Sequence, residues 1–344
     1  MRAVLCGYYG YGNGGDEALL ATLLQFLPKH ISPVVLSGNP AQTQALHGVA
    51  TCDRNNLLAV FNLLRSSQVF IWGGGSLIQD STSALSPWYY CGLMLTARLL
   101  GLKTIAWAQG IGPLHRAQTQ WIAKQAFKSC TAISVRDPGS MAWVDRWHCK
   151  AIAAPDPVWA LDTVSTPERE ALPTTRIAVV LRSHPLLTPD RLDNIARALE
   201  ILHEQTRASI VLVPFQHSQD LAIAQTLHAQ LTEISHIVQL TDPRQLKGVF
   251  QGADMAIAMR LHGLIMAAAE GCRCFGISYD PKVQRLIEEI NCPGWDLANF
   301  PEDVSAMARE WIQLYRSTPT LSQEKCQTLT QQARQHQQVL ETLS

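Results

Sequence analysis

Short apolar runs alternate with longer amphipathic stretches along almost the whole chain. Each run of about four apolar residues predicts a buried strand, and apolar positions three and four residues apart predict helices that cover such strands. Strands that alternate with helices are typical of a parallel sheet with helices on both faces. The pattern therefore predicts an α/β fold.

In the first half, the predicted strands are Ala3–Cys6, Pro33–Leu36, Val69–Trp72, Thr104–Trp107 and Ala132–Val135. Helices are predicted from Asp16, from about Trp88 to Leu100, over Arg116–Lys128, and after Asp137-Pro138, which is typical of an N-cap followed by proline. In the second half, the predicted strands are Ile177–Leu181, Ile210–Val213, Ile237–Leu240, Met255–Ala258 and Cys274–Ile277.

The two series are separated by a polar segment with two prolines, Asp162–Thr175, which indicates a linker. We therefore predict two doubly wound, Rossmann-like domains facing a cleft, over residues 1–163 and 164–320. Residues 321–344 are rich in glutamine and keep a helical apolar spacing, so we expect a helix on the surface. Ligands of such sheets bind after the carboxyl ends of strands, at a switch point in the strand order.

Composition excludes several classes of function. The 344 residues contain 28 basic and 28 acidic side chains, so the broad positive charge that grips nucleic acid is missing. The nine cysteines form no CxxC pair, which favours reduced thiols and no zinc site. The apolar run before the first glycine is too short for a signal peptide, and no stretch is long enough to span a membrane. We expect no metal and no cofactor.

Two glycine-rich loops follow predicted strands of the first half. The first contains Gly14, Gly15 and Asp16, and its spacing fits neither a dinucleotide fingerprint nor a P-loop. Asp16 is either an N-cap or a ligand-binding acid. The second contains Gly74 and Gly75, and three consecutive glycines there favour an exposed backbone that binds a ligand. Asp80, which follows it, is either a helix cap or a general base.

Arginine and histidine follow the predicted strands of the second half. Arg182 comes after one strand, and Arg260, Leu261 and His262 open a helix after another. A cation and an imidazole at a helix start favour an anion site. The first half thus offers glycine-rich loops with acids, and the second offers arginine and histidine after its strands. This contrast indicates a transferase with two substrates, an anionic donor on the second domain and a hydroxyl-rich acceptor on the first.

At these residues the chain resembles the polysaccharide pyruvyltransferases, in particular the bacterial cell-wall branch often called the CsaB type. The resemblance covers roughly residues 1–280 and rests on GYYGYGNGGDEALL, WGGGSLIQD, AWAQGIGPL, SVRD, APDPVW and AMRLHGLIMAA. It implies a GT-B-like pair of domains and a reaction in which phosphoenolpyruvate gives a pyruvyl ketal on a sugar. In the cell-wall branch, which serves S-layer anchoring, the sugar is N-acetylmannosamine carried on a polyprenyl lipid.

The resemblance also implies roles for individual residues. Arg260, Leu261 and Arg182 correspond to donor-binding positions, and Asp80 best matches the acid of the glycine-rich loop. His262 is our expected general acid, with Asp80 or Asp16 taking protons from the acceptor. The alternatives are a nucleotide-sugar glycosyltransferase of the GT-B class and a non-catalytic binding protein. We expect a cytoplasmic protein that touches the inner membrane face reversibly, with Pro87–Tyr90 as the candidate contact if these residues do not lie in the core.

Overall fold

The computed structural model describes residues 1–81, 83–317 and 321–343. By their contacts the residues divide into two compact units. Unit 1 comprises Met1–Tyr11, Asp16–Leu161 and Leu329–Ser344, and unit 2 comprises Gly12–Gly15 and Asp162–Thr328. The chain thus passes from unit 1 to unit 2 after Leu161, where the sequence predicted a change after residue 163. The second predicted boundary, at residue 320, lies outside the described residues.

Unit 1 contains an eight-stranded parallel sheet. Its strands are β1 (Arg2–Cys6), β2 (Ser32–Ser37), β3 (Ala50–Asp53), β4 (Val69–Trp72), β5 (Gly75–Ile78), β6 (Lys103–Ile111), β7 (Ala132–Val135) and β8 (Ile152–Ala153). The strand order is β3-β2-β1-β4-β6-β7-β8, with β5 paired to β6. The helices are α1 (Gly14–Phe26), α2 (Pro40–His47), α3 (Leu57–Arg65), α4 (Ser86–Leu99), α5 (Ala117–Ser129) and α6 (Pro138–Arg146).

Unit 2 contains a six-stranded parallel sheet. Its strands are β9 (Arg176–Val180), β10 (Ser209–Leu212), β11 (Ser235–Ile237), β12 (Met255–Ala258), β13 (Arg273–Ser278) and β14 (Gly294–Asp296), in the order β11-β10-β9-β12-β13-β14. The helices of this half are α7 (Pro167–Glu170), α8 (Pro189–Thr206), α9 (His217–Gln230), α10 (Pro243–Phe250), α11 (Leu261–Ala269), α12 (Pro281–Glu289) and α13 (Val304–Arg316). The chain ends with α14 (Gln323–Ala333) and α15 (Gln338–Glu341).

The prediction of two parallel α/β sheets is confirmed. The central strands β1, β4, β9 and β12 are almost wholly buried, as expected of parallel strands covered on both faces. Both sheets reverse their order at the centre, between β1 and β4 in unit 1 and between β9 and β12 in unit 2. These are the two switch points at which ligands of open α/β sheets bind.

Strand bounds were predicted to the residue for three strands, whereas β6 (Lys103–Ile111) is longer than the predicted Thr104–Trp107. The three strands are Val69–Trp72, Ala132–Val135 and Met255–Ala258. The strand predicted at Ile237–Leu240 is wrong, because pairing with β10 begins two residues earlier, at Ser235 opposite Ile210. The polar segment predicted as a linker belongs to unit 2, where Thr163 Oγ1 donates to Glu270 Oε1 at 2.6 Å.

The C-terminal segment is part of the core of unit 1, which corrects the predicted surface helix. Leu340 and Leu343 are fully buried, and α15 contacts β6 and β7. Trp107 Nε1 donates to His336 O at 3.1 Å, and His336 Nε2 donates to Pro155 O at 2.9 Å. Burial lowers the pKa of His336 to about 4, so the ring is neutral at pH 7. The helical apolar spacing of this segment was predicted. Its burial was not, because the residues that cover it, such as Trp107 and Pro155, lie far away in sequence.

We expect Leu340→Ala to lower the free energy of unfolding of unit 1 by about 2–5 kcal/mol, because it leaves a cavity where a buried side chain was. Leu99→Ala is the control, since Leu99 is highly exposed in the same unit. Urea unfolding measures both. Equal stabilities of the two variants would contradict the placement of the C-terminal segment.

Candidate functional site

The switch point of unit 2 is organised around a buried ion pair. Arg260, directly after β12, donates from Nε to Asp220 Oδ2 at 3.1 Å and from Nη2 to Asp220 Oδ1 at 2.5 Å. The side chains are 9% and 0% exposed. Asp220 Oδ2 also accepts from the amides of Phe215 and Gln216, at 3.1 and 2.9 Å. The carboxylate thus fixes the guanidinium against the loop after β10.

The pairing with Asp220 uses Nε and Nη2 of Arg260 but not Nη1. Among the described residues, none accepts a hydrogen bond from Arg260 Nη1. The helix that follows, α11, begins at Leu261 without a side-chain cap. The exposed amides of a helix start and a charged N–H group are both donors that suit an anion.

His262 packs against a glycine of the first loop. A Cβ built on Gly15 would collide with the imidazole at Nδ1, and one built on Gly14 would lie 2.8 Å from Leu246 Cδ1. Both glycines belong to unit 2, although the sequence assigned them to the acceptor loop of the first domain. Gly14 N donates to Phe215 O at 2.7 Å and Gly15 N to Asn13 Oδ1 at 3.0 Å, so these amides are already used. The absence of a side chain at Gly15 makes room for the histidine, and at Gly14 it makes room for Leu246 and Phe215.

Arg182 lies on the other side of the same switch point, after β9. Its Nη1 donates to Tyr279 Oη at 2.8 Å, and its guanidinium carbon lies 4.7 Å from the centroid of the Tyr279 ring. Tyr279 follows β13, so residues after β9, β12 and β13 all contribute to this edge of the sheet. Leu261 is half-buried as the first residue of α11.

In unit 1, the glycines after β4 are buried, which corrects the expectation of an exposed ligand-binding backbone. A Cβ on Gly73 would collide with the Tyr9 hydroxyl, and one on Gly74 would lie 2.8 Å from Leu19 Cδ2. Gly75 has a φ of +126°, which favours glycine. Side-chain packing and one backbone conformation therefore account for the three glycines.

Asp16 is the acid that approaches this loop. It lies in the first turn of α1, two residues after the helix begins, so it is not the N-cap. Its Oδ1 is 3.7 Å from the position of a Cβ on Gly75. Burial, Tyr11 and the charge of Asp16 together raise the pKa of Tyr8, which follows from Asp16 lying near that ring.

Asp80 is a helix cap by its contacts. Its carboxylate accepts from the amides of His115 and Arg116, at 2.8 and 2.9 Å, and from Thr119 Oγ1 at 2.5 Å, at the start of α5. Burial alone would raise the pKa of Asp80, but these hydrogen bonds outweigh it and lower the pKa. A carboxylate so occupied is a poor proton acceptor, so the capping alternative is favoured over the general base.

Several residues at these edges were missed by sequence reasoning. Asp220 and Tyr279 belong to no recognised motif. The sequence indicated only the residues that they bind, Arg260 and Arg182. Arg54 was missed as well. It is buried, donates from Nη1 to Gly7 O at 3.0 Å, and lies 4.8 Å from the Tyr89 ring centroid.

The candidate membrane contact is only partly available. Pro87 and Tyr90 are buried and Tyr89 is half-buried, whereas Trp88 is exposed. Tyr90 Oη accepts from Arg54 Nη2 at 3.2 Å, so this aromatic group supports an arginine in unit 1. None of the helices in the described residues is long and apolar enough to cross a membrane. No group of three metal-ligating side chains is found within the described ranges.

We expect Asp80→Asn to lower the free energy of unfolding by about 1–3 kcal/mol at pH 7, because several charge-assisted hydrogen bonds are lost. The folded pKa of Asp80 is below 3.8, so its contribution is present above that pH and is lost as the pH falls through the folded value. The difference between variant and wild type should therefore shrink below about pH 3.8. Asp145→Asn, exposed in the same unit, is the control for urea unfolding. A difference that persists unchanged at lower pH would contradict the ionised cap.

Solved structures with the same fold are nucleotide-sugar enzymes and glycosyltransferases. The UDP-GlcNAc 2-epimerase of Neisseria meningitidis has a TM-score of 0.64 at 10% identity, over 100% of this chain and 99% of its own. A glycosyltransferase of Rickettsia africae has a TM-score of 0.53 at 10% identity, over 99% and 96%. MurG of Acinetobacter baumannii has a TM-score of 0.52 at 11% identity, over 99% and 97%. At such identities the likeness shows the GT-B-like fold alone.

The sequence itself gives the family. A search among curated proteins returns no match. The pattern of the polysaccharide pyruvyl transferase family matches residues 13–281, which include Arg182, Arg260 and His262. The chain therefore belongs to the polysaccharide pyruvyl transferases, enzymes that transfer pyruvate from phosphoenolpyruvate.

Proposed function

We propose that this enzyme forms a pyruvyl ketal on N-acetylmannosamine in a polyprenyl-linked cell-wall precursor, of the kind used for S-layer anchoring. The donor is bound by unit 2 and the acceptor by unit 1. The observation that carries the donor side is the Arg260–Asp220 pair, which fixes a buried guanidinium at a switch point with one nitrogen left for an anion. The choice of acceptor is supported by the sequence motifs of the cell-wall branch.

Phosphoenolpyruvate carries a phosphate and a carboxylate, and unit 2 offers two arginines. Arg260 binds one anionic group through Nη1, together with the uncapped amides at the start of α11, including that of Leu261. Arg182 binds the other, since stacking on Tyr279 holds its guanidinium in one orientation. A site with two arginines favours phosphoenolpyruvate, which has two anionic groups, over inorganic phosphate, which has one.

His262 protonates the methylene carbon of phosphoenolpyruvate, because an imidazole exchanges protons near neutral pH. The central carbon becomes electrophilic, and a sugar hydroxyl adds to it and loses its proton. Inorganic phosphate then leaves with its bonding electron pair. The second hydroxyl adds to the same carbon, loses its proton, and closes the ketal.

Asp16 accepts the protons of the acceptor hydroxyls. Asp80 is not assigned this role, because its carboxylate already accepts hydrogen bonds from the start of α5. We place the reaction in the cytoplasm, with reversible contact of the protein at the inner membrane face where a polyprenyl-linked sugar resides.

A second candidate function is transfer from a nucleotide sugar, which is favoured by the fold shared with the Rickettsia africae glycosyltransferase and with MurG. A third is binding of phosphoenolpyruvate without reaction. The three differ in their products.

The enzyme is incubated with phosphoenolpyruvate or UDP-N-acetylglucosamine and a panel of N-acetylhexosamines, free and polyprenyl-linked. We expect phosphate release with phosphoenolpyruvate only, fastest with the N-acetylmannosamine acceptor. UDP release would favour the glycosyltransferase, and binding without phosphate release would favour the non-catalytic protein. Faster reaction with another sugar would overturn the choice of acceptor.

We expect Arg260→Ala to weaken binding of phosphoenolpyruvate by about 2–5 kcal/mol, since a buried anion loses its charged partner. Calorimetric titration measures this. The double variant Arg260→Ala/Asp220→Ala removes both buried charges and separates loss of ligand binding from loss of stability. Arg244→Ala is the control, because Arg244 forms a more exposed ion pair with Asp242 in the same unit. Unchanged affinity for phosphoenolpyruvate in a folded Arg260→Ala protein would contradict the assignment of Arg260 as a donor-binding residue.

We expect His262→Ala to lower kcat by about 100-fold or more, the usual contribution of a general acid. Gly15→Ala should also lower kcat, by displacing the imidazole, with little change in the KM for phosphoenolpyruvate. Gly92→Ala is the matched control, because a Cβ at Gly92 would meet nothing within 4 Å. If Gly15→Ala raised only the donor KM, His262 would be a binding residue instead of the acid.

A further inference from the structure

Two tyrosine rings lie exposed beside the switch point of unit 1. Tyr8 and Tyr11, in the loop after β1, stack with centroids 4.3 Å apart and planes 17° apart. They are 43% and 39% exposed. Leaving aromatic surface in water costs free energy that burial would recover. A paired, exposed aromatic surface at a ligand-binding edge of the sheet therefore needs an explanation.

The loop cannot turn these rings inward, because buried polar groups anchor its backbone. Arg54 Nη1 donates to Gly7 O at 3.0 Å, the Gly38 amide donates to Tyr9 O at 2.9 Å, and the Gly10 amide donates to Glu17 Oε1 at 2.8 Å. Each anchor comes from a different part of unit 1.

The anchors are themselves held in place. Glu17 Oε2 is 3.1 Å from His47 Nε2, with both side chains at most 5% exposed. Gly10 has a φ of +79°, and a Cβ there would collide with Ser37 Oγ. The conformation of the loop is thus set by its buried side.

Tyr11 forms the fixed base of the pair. Its ring lies on the backbone of Gly38, where a Cβ would be 2.7 Å from Tyr11 Cζ, and the Arg54 guanidinium carbon is 5.7 Å from its centroid. Tyr8 stacks on this base and keeps part of its ring open to solvent. Burial, Tyr11 and then the charge of Asp16 raise the pKa of Tyr8, so Asp16 is the acid whose charge Tyr8 experiences.

We propose that the stacked Tyr8–Tyr11 pair is the platform on which the acceptor sugar lies, with one C–H face of the pyranose ring on Tyr8. The C–H hydrogens of a sugar ring carry partial positive charge, and the face of an aromatic ring is negative, so the two attract. The neighbouring carboxylate of Asp16 suits a hydroxyl at the edge of such a ring. This inference rests on the proposed function, in which the acceptor binds unit 1.

The test compares Tyr8→Ala, Tyr8→Phe and the control Trp121→Ala, which removes another exposed aromatic ring of unit 1. Tyr8→Ala should raise the KM for N-acetylmannosamine about 3- to 10-fold, the size of one aromatic contact, and change the KM for phosphoenolpyruvate by less than about twofold. Tyr8→Phe keeps the aromatic face and should retain the acceptor KM, as should Trp121→Ala.

Saturation-transfer NMR gives a readout that does not depend on turnover. N-acetylmannosamine should receive saturation mainly on one face of its ring in the wild type, and this should be lost in Tyr8→Ala. An unchanged acceptor KM and an unchanged NMR pattern in Tyr8→Ala would overturn the platform while leaving pyruvyl transfer intact. Saturation of the uracil ring of UDP-N-acetylglucosamine instead of the sugar would also overturn it, in favour of a nucleotide base. Absence of any pyruvylated sugar from the wild type would refute the proposed function without bearing on the NMR result.

Discussion

The reversal of strand order at the centre of each parallel sheet is the constraint on which this structure depends. Crossover helices leave from the two sides of a reversal in opposite directions, so the carboxyl ends of the central strands stay uncovered. In unit 2 this places Arg182 and Arg260 after the adjacent strands β9 and β12. In unit 1 it places the tyrosine loop and the Gly73–Gly75 loop after β1 and β4. The candidate site residues are therefore found at these two edges.

Buried charged groups orient the side chains and loop backbone that lie at these two sheet edges. Asp220 holds Arg260, and in unit 1 Arg54 and Glu17 hold the backbone below Tyr8. Burying a charge is costly unless it is paired and hydrogen-bonded, and each of these groups has partners in the described residues. In return for that cost, the Arg260 guanidinium and the loop backbone keep one orientation, which apolar packing alone would not provide.

Sequence alone predicted the architecture because the central strands carry their own signal. Val69–Trp72 and Met255–Ala258 are uninterrupted apolar runs, and the alternation of such runs with helices determines the fold class. The edge strands β3 and β8 could not be found in this way. Ala50–Asp53 is half polar and Ile152–Ala153 has two residues, so their strand character comes from the neighbour to which they pair.

The candidate site was predicted where a motif carries the chemistry and missed where a distant partner decides it. Arg260 and His262 stand out beside a strand end, but nothing near Asp220 indicates that it would pair with an arginine 40 residues away. Asp80 was ambiguous for the same reason, since His115 and Arg116 lie 35 and 36 residues further on. Burial of the C-terminal segment likewise depends on Trp107 and Pro155.

The central claim is that unit 2 activates phosphoenolpyruvate by protonating its methylene carbon before a sugar hydroxyl adds. The most direct test runs the reaction in D₂O with N-acetylmannosamine acceptor and examines the product by mass spectrometry. The account predicts a sugar that gains one pyruvate less one water, with one deuterium in the new methyl group, together with one phosphate released per product. A product without the pyruvyl group, or a pyruvylated sugar without deuterium, would contradict it.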